Sequence, residues 1–293
     1  MTTVETTTQG WPLRLPRGDA LVLGGTRRAL VMAVLNVTPD SFSDGGLFAD
    51  HDSAVRQGLA LVAEGADILD IGGESTRPGS ESVAAEEQIR RVEPVIAALS
   101  AQTKVPISID TTSARVARRA FAAGAQIIND ISAFREDPEM AAFAAESGAP
   151  VVLMHMLGRP RDMQVKPVYR DVCAEVRDFL AERVEFASGR GVRREQIIVD
   201  PGFGFGKTFE HNIELLRNLG ILRALGRPIL AGTSRKAMLG RILDVPPRER
   251  IYGTLATVAA AVERGAEIVR VHDARPALDV AKVMAALHGR NWQ

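Results

Sequence analysis

Two hydrophobic rhythms alternate from Val31 to about His288. Short, continuous apolar runs rich in Val and Ile are followed by longer stretches in which apolar positions recur every three or four residues. The first rhythm reads as a buried parallel strand and the second as an amphipathic helix laid over it. Four joints carry the same mark, a glycine that closes the helix just before the strand: GADILDI from Gly65, GAQIIND from Gly124, GAPVVLMH from Gly148 and GAEIVRVH from Gly265. Adding VMAVLN from Val31, PISID from Pro106, QIIVD from Gln196 and PILAGT from Pro228 gives eight strands, each followed by a helical pattern. Eight βα units predict an α/β fold of the (β/α)8 TIM-barrel type, with residues 31–293 as one barrel domain. A GxGxxG turn is missing after the first strand, which argues against a dinucleotide-binding sheet. Residues 1–30 lie outside the rhythm, and LRLPRGDALVLGG, from Leu13, predicts a short N-terminal β-hairpin flap closing the barrel floor.

Composition narrows the chemistry. The 293 residues suffice for a large core, and the 36 basic residues cancel the 36 acidic ones. No global field draws the chain to nucleic acid or to an anionic membrane, so an anion site has to be local. Cys173, the single cysteine, excludes an internal disulfide and fits a reducing, cytoplasmic setting. MTTVETTTQG at the start lacks a cationic segment followed by an apolar one, and no apolar run reaches the ~18 residues of a membrane helix, so neither export nor a membrane span is expected.

Barrel enzymes work at the C-terminal ends of their strands, and here those ends are polar. They carry Asn36, Asp70 with Glu74, Asp110, Asn129 and Asp130, His155, Asp200, Ser234 with Arg235 and Lys236, and Arg270 with His272. Singly, the Asp, Asn and Ser residues also read as caps of the following helices. Caps need only a short oxygen and do not account for Lys236, Arg270 and His272 at the same rim.

DPGFGFGKT, from Asp200, misses the phosphate-loop pattern because Pro201 stands where glycine is required. Its glycines permit a sharp backbone turn, while Phe203 and Phe205 either face a ligand there or fill the core. The histidines at 51, 155, 211, 272 and 288 have no zinc spacing. Magnesium needs only one or two protein oxygens beside substrate phosphates, and Asn36 offers one. Met154 and Met156 read either as core fillers or as soft walls for a flat heterocycle.

VMAVLNVTPDSFSDGG (Val31 to Gly46), GGESTRPG, DPGFGFGK, TSRK and RVHD closely resemble the motifs of the dihydropteroate synthase family of pterin-binding barrels, over nearly the whole chain. The resemblance implies condensation of 6-hydroxymethyl-7,8-dihydropterin pyrophosphate with 4-aminobenzoate to 7,8-dihydropteroate, with Mg²⁺ as cofactor. Matched motif by motif, it puts the pterin on Asp110, Asn129, Asp200, Lys236 and Arg270. Pyrophosphate falls to Asn36, Thr76, Arg77, Arg270 and His272, with Asn36 also on the metal. For 4-aminobenzoate the matching residues are Phe42, Thr76, Pro78, Phe205, Lys236 and Ala237. Asp110, Lys236 and Arg77 carry catalysis in this reading. Both substrate loops, VTPDSFSDGG and STRPGSE, read as lids because they are longer than ordinary βα loops. Ala237 departs from the family, which commonly has serine there to hold the aminobenzoate carboxylate. The family is usually homodimeric through helices on the outer wall. Alternatives are a noncatalytic pterin-binding paralogue, a pterin-dependent methyltransferase, which needs no pyrophosphate groups, and a phosphosugar barrel enzyme, which does not need the Asp110, Asn129, Asp200 set.

Overall fold

The structure, a computed structural model, describes residues 10–18, 20–38, 46–76 and 79–293. Its first elements are an antiparallel hairpin, β1 (Trp11–Leu13) paired with β2 (Leu21–Leu23). The repeat then starts with β3 (Leu30–Asn36) and α1 (Gly46–Ala63), followed by β4 (Ile68–Gly72) and α2 (Ala85–Gln102), β5 (Ile107–Asp110) and α3 (Ala114–Ala123). It continues with β6 (Ile127–Asp130) and α4 (Met140–Ser147), β7 (Val151–Met154) and α5 (Val172–Gly189), β8 (Ile197–Asp200) and α6 (Phe209–Arg217). The final elements are β9 (Leu230–Ala231), α7 (Ala237–Leu243), α8 (Ile251–Glu263), β10 (Ile268–Val271) and α9 (Ala274–Leu287).

Among the described residues eight parallel strands follow the order β8-β7-β6-β5-β4-β3-β10-β9. Val199 and Ile229 form a parallel bridge, with Val199 N–H donating to Pro228 O at 2.9 Å, and this joins β8 to β9 and closes the ring. All eight strands expected from the pattern are present, and the four glycines of the repeat have positive φ at the ends of their helices. An L-residue with a Cβ is strained in that conformation, which is why glycine recurs there.

A strand's side chains alternate between two faces. Val31, Leu69, Ile109, Ile128, Leu153, Val199 and Val269 belong to the large core between strands and helices. Their neighbours Met32, Ile68, Ile127, Val152, Ile198, Leu230 and Ile268 form a second apolar cluster, inside the barrel, joined from below by the fully buried Leu13 and Leu23 of the hairpin. The hairpin thus plugs the N-terminal end of the barrel. Two residues beyond this inner layer, on the same face, come Asp70, Asn129, Met154, Asp200 and Arg270. The period-2 alternation alone therefore sends this polar set into the mouth of the barrel.

Candidate active site

Arg270 is the centre of the inner polar layer. Its Nε donates to Asp70 Oδ2 at 2.6 Å and one terminal nitrogen donates to Asp110 Oδ2 at 2.7 Å. Asn129 donates its amide to the same Asp70 oxygen at 3.0 Å. Four strands, β4, β5, β6 and β10, meet in this cluster. Asp70 is fully buried and Asp110 is 7% exposed, so the opposite charges attract one another in a medium of low polarity. The remaining oxygens, Oδ1 of each acid, are buried and meet no donor among the described residues. Asp110 Oδ1 and the side-chain carbonyl of Asn129 are acceptors suited to a ligand's N–H groups.

Burial raises the Asp110 carboxyl to about 7, with Arg270 opposing and Asp70 adding to the rise. Burial also works against the Arg270 charge, but Asp70 and Asp110 outweigh it and hold the guanidinium above its usual range. Asp200, at the end of β8, is raised to about 6 by burial, against the Gly202 N–H and the Lys236 charge. Lys236 is pulled down to about 8 by burial and by Arg270, while Asp200 and Asp110 resist. Its Nζ lies 4.5 Å over the centre of the Phe205 ring.

Phe205 belongs to a small cluster with Ile131, Met154, Met156 and Met163, whereas Phe203 is 1% exposed in the main core. Of the two readings left open for these rings, Phe203 takes the core and Phe205 the mouth. Both methionines flanking His155 line that same soft cluster. The turn carrying Phe205 is pinned from outside itself. Gln164 donates to Gly204 O, Asn212 accepts from Gly204 N–H at 2.7 Å, and Tyr169 donates to Gly206 O at 2.8 Å. At Gly202, with φ +67°, a Cβ would lie 2.0 Å from His155 O, so only glycine permits this approach.

Several rim residues serve the scaffold. Asp130 accepts from Ser132 N–H, Ser132 Oγ and Phe134 N–H, which shapes the loop after β6. Glu74 holds Val83 N–H and the Gln88 amide. Arg235 forks onto Asp273 at 3.1 and 2.6 Å. His155 Nδ1 lies 2.9 Å from Lys207 Nζ, and burial, with Lys207 and Arg135 adding, pushes its imidazole down to about 2. Ser234 Oγ lies 3.0 Å from His272 Nδ1. Burial, with Arg235 and Arg270 nearby, pushes the His272 imidazole down to about 4, so near pH 7 it offers a hydrogen bond to an anion and not a charge. Asn36, the last residue of β3, and Thr76, in the loop after β4, are half-buried. Phe42, Arg77 and Pro78 lie outside the described residues.

The family described as pterin binding enzyme matches residues 32–272 of the chain. A dihydropteroate synthase from Synechocystis is 50% identical over 278 residues, covering 94% of this chain and 96% of its own. The chain belongs to the dihydropteroate synthase family. Among solved structures, the Xanthomonas albilineans dihydropteroate synthase with 4-aminobenzoic acid superposes with a TM-score of 0.89 at 46% identity, covering 95% of this chain and 98% of that one. A complex of the Xanthomonas albilineans enzyme with 7,8-dihydropteroate gives 0.83 at 44% identity, with 92% and 97% covered.

Within this dihydropteroate synthase fold, Ala237 opens α7 and is exposed beside Lys236. The Asn36 amide oxygen stands beside Gly72, where a Cβ would come within 3.8 Å, so glycine leaves the space next to it open. One neutral oxygen of this kind suits Mg²⁺, which keeps most of its waters and shares substrate phosphates. A separate grouping, Asp171, Cys173 and Glu214, has ligand atoms within 4.8 Å of one another, but it lies on α5 and α6 with the residue that caps α5, not in the inner polar layer. Two participants escaped the sequence reading. Asp70 stood in the rim set without a role, although its inward parity with Asn129 was a usable signal. Lys207, in sequence, reads only as the lysine of a run that misses the phosphate-loop pattern.

Proposed function

We propose that the barrel mouth condenses 6-hydroxymethyl-7,8-dihydropterin pyrophosphate with 4-aminobenzoate, yielding 7,8-dihydropteroate and pyrophosphate. The cluster of Asp70, Asp110, Asn129 and Arg270 beside Asp200 and Lys236 carries this reading. A pterin's 2-amino-4-oxo edge presents parallel N–H donors, and the Asp200 carboxylate accepts them as a fork, each charge-assisted bond contributing about 1.5–3 kcal/mol. Asn129 and Asp110 accept further ring N–H groups, Lys236 donates to the ring's acceptors, and the planar Arg270 lies against the heterocycle.

As the methylene C–O bond breaks, the electron pair leaves with pyrophosphate and the methylene carbon becomes cationic. Asp110, as a carboxylate facing that carbon, stabilises the cation, and the arylamine nitrogen then forms the C–N bond and loses a proton. Negative charge growing on the leaving group is met by Arg270, Arg77 and hydrogen bonds from Asn36, Thr76 and the neutral His272. Asn36 would also hold Mg²⁺, which when bound supplies positive charge to the pyrophosphate oxygens. The second substrate is placed against Phe205, Thr76, Lys236 and Ala237, with Phe42 and Pro78 on the lids. Residues 31–293 form the catalytic domain and residues 1–30 an extension whose Leu13 and Leu23 fill the floor. Its single, buried cysteine fits a cytoplasmic setting.

Incubation with the pterin pyrophosphate and 4-aminobenzoate, with and without Mg²⁺, tests the reading. Product that depends on both substrates and the metal is expected. Pterin binding without product would point to a noncatalytic paralogue, and no binding would remove the assignment.

The pH profile follows from the acids. Asp110 and Asp200 are both raised, to about 7 and about 6, and both act as anions. Protonation as pH falls therefore removes the active form, and kcat/KM for the pterin substrate is expected to decline through pH 7 and more steeply below 6. A flat profile from about pH 5.5 to 8 contradicts these roles. Ala237→Ser, which restores a hydroxyl beside Lys236, is expected to lower the 4-aminobenzoate KM by about threefold to tenfold, one net hydrogen bond. An unchanged KM would show that the hydroxyl is not missed here.

Exposed apolar side chains on three outer helices support a homodimer: Ile242 at 56%, Leu243 at 41%, Tyr252 at 82%, Val283 at 59% and Leu287 at 74%. Sedimentation showing one 31.5 kDa species at micromolar concentration would exclude it.

A further inference from the structure

Lys207 is 3% exposed at the end of the glycine turn, and none of the roles above uses it. Its Nζ lies 2.9 Å from His155 Nδ1, 2.9 Å from Gly202 O and 3.1 Å from Phe205 O. An ammonium has three N–H donors and no acceptor, so these three partners use its whole hydrogen-bonding capacity. Burial pulls the Lys207 amine down to about 7, against the Asp200 charge; in its charged form it donates to His155 Nδ1, which leaves the ring proton on Nε2. That ring is buried and meets Phe179 edge-on with centroids 4.8 Å apart, which fixes the direction of the accepting nitrogen.

Both carbonyls held by Lys207 belong to the turn that links Asp200 to Phe205. Gly202 donates its N–H to Asp200 Oδ1 at 2.7 Å, and its carbonyl also accepts from Phe205 N–H at 3.1 Å. The far end of the same turn carries the ring under Lys236. A change of a few tenths of an ångström in this turn shifts the pterin carboxylate and the aromatic wall relative to each other.

We infer that Lys207, seated on His155, is a positioning residue that sets the distance between Asp200 and the Phe205 ring and so the fit of both substrates. It touches neither substrate and acts through the backbone it ties down. This deepens the reading of the mouth given above and rests on it.

Lys207→Met keeps an unbranched chain of similar length and removes all three bonds. It is expected to raise KM for both substrates by about tenfold or more while lowering kcat by less than about threefold, because the reacting groups themselves remain. Hydrogen exchange at the amides of residues 202–206 is expected to quicken by about tenfold, with the strand amides unchanged. His155→Asn, which retains a side-chain oxygen near the Nδ1 position, should stay within about threefold of the wild type, whereas His155→Leu should resemble Lys207→Met. Wild-type KM values and wild-type exchange in Lys207→Met overturn the inference, as do His155→Asn and His155→Leu variants that behave alike. Should Lys207→Met fail to fold, the His155 pair decides. If the wild-type protein makes no dihydropteroate, the reading of the site falls, and the exchange rates, which need no substrate, still decide the clamp.

Discussion

Arg270→Met is expected to lower the unfolding free energy by about 3–5 kcal/mol at pH 8, the cost of breaking a buried ion pair and leaving its partners charged. Two carboxylates depend on this one guanidinium, at 2.6 and 2.7 Å, with Asp70 fully buried and Asp110 7% exposed. Repulsion between the two acids adds to the loss, since Asp70 already pushes Asp110 upward. The sign of the pH dependence follows. Asp110 binds its proton more tightly folded than unfolded, so its favourable contribution is present at low pH and lost as pH rises through the folded value of about 7. Without Arg270 that value climbs, Asp110 is neutral at pH 6, and the destabilisation at pH 6 should be smaller than at pH 8. Urea unfolding at the two pH values checks this, and a larger loss at pH 6 would refute it. Arg270→Lys is not a rescue, because one ammonium on a flexible stem does not reproduce a planar fork across two acids. It is expected to lower kcat/KM by about 100-fold, roughly 2.7 kcal/mol.

Asp110→Asn is expected to lower kcat by about 10²–10³-fold, the scale of removing one electrostatic contact to charge that develops in the transition state. Asparagine keeps the shape and an oxygen for Arg270, so the fold and the pterin site should persist, with pterin affinity within about tenfold by calorimetry. This split between binding and turnover separates the two roles assigned to Asp110. If turnover stays intact and only pterin binding weakens, Asp110 is a pterin anchor and does not stabilise the methylene cation.

The strands were readable because each is a continuous apolar run buried on both faces, and six of the eight follow a glycine or proline that ends the preceding segment, a local signal that survives without tertiary contacts. PILAGT shows the limit of that signal. Six residues of strand-like pattern yield only the two residues of β9, joined to β8 through the Val199 and Ile229 bridge. Rim chemistry was legible as a set, since the period-2 alternation places Asp70, Asn129, Asp200 and Arg270 on the inner face. Which members pair was not. Arg270 meets Asp110 from 160 residues away and Asp70 from 200, and neither spacing carries a local periodicity.

His272 falls on pyrophosphate by resemblance, and the fold leaves it half-buried beside Arg235 and Arg270, where desolvation pushes its imidazole down to about 4. Lys207 follows a glycine-rich run that suggests phosphate, but its ammonium turns inward to His155 and two carbonyls. By itself the sequence determined the number and order of the βα units, the polar character of the strand ends and, through five motifs, the family. Only the closed barrel decided the partners and protonation states of those side chains. Pairing across the mouth depends on the ring bringing distant strands within hydrogen-bonding distance, and protonation depends on how much water that closure removes.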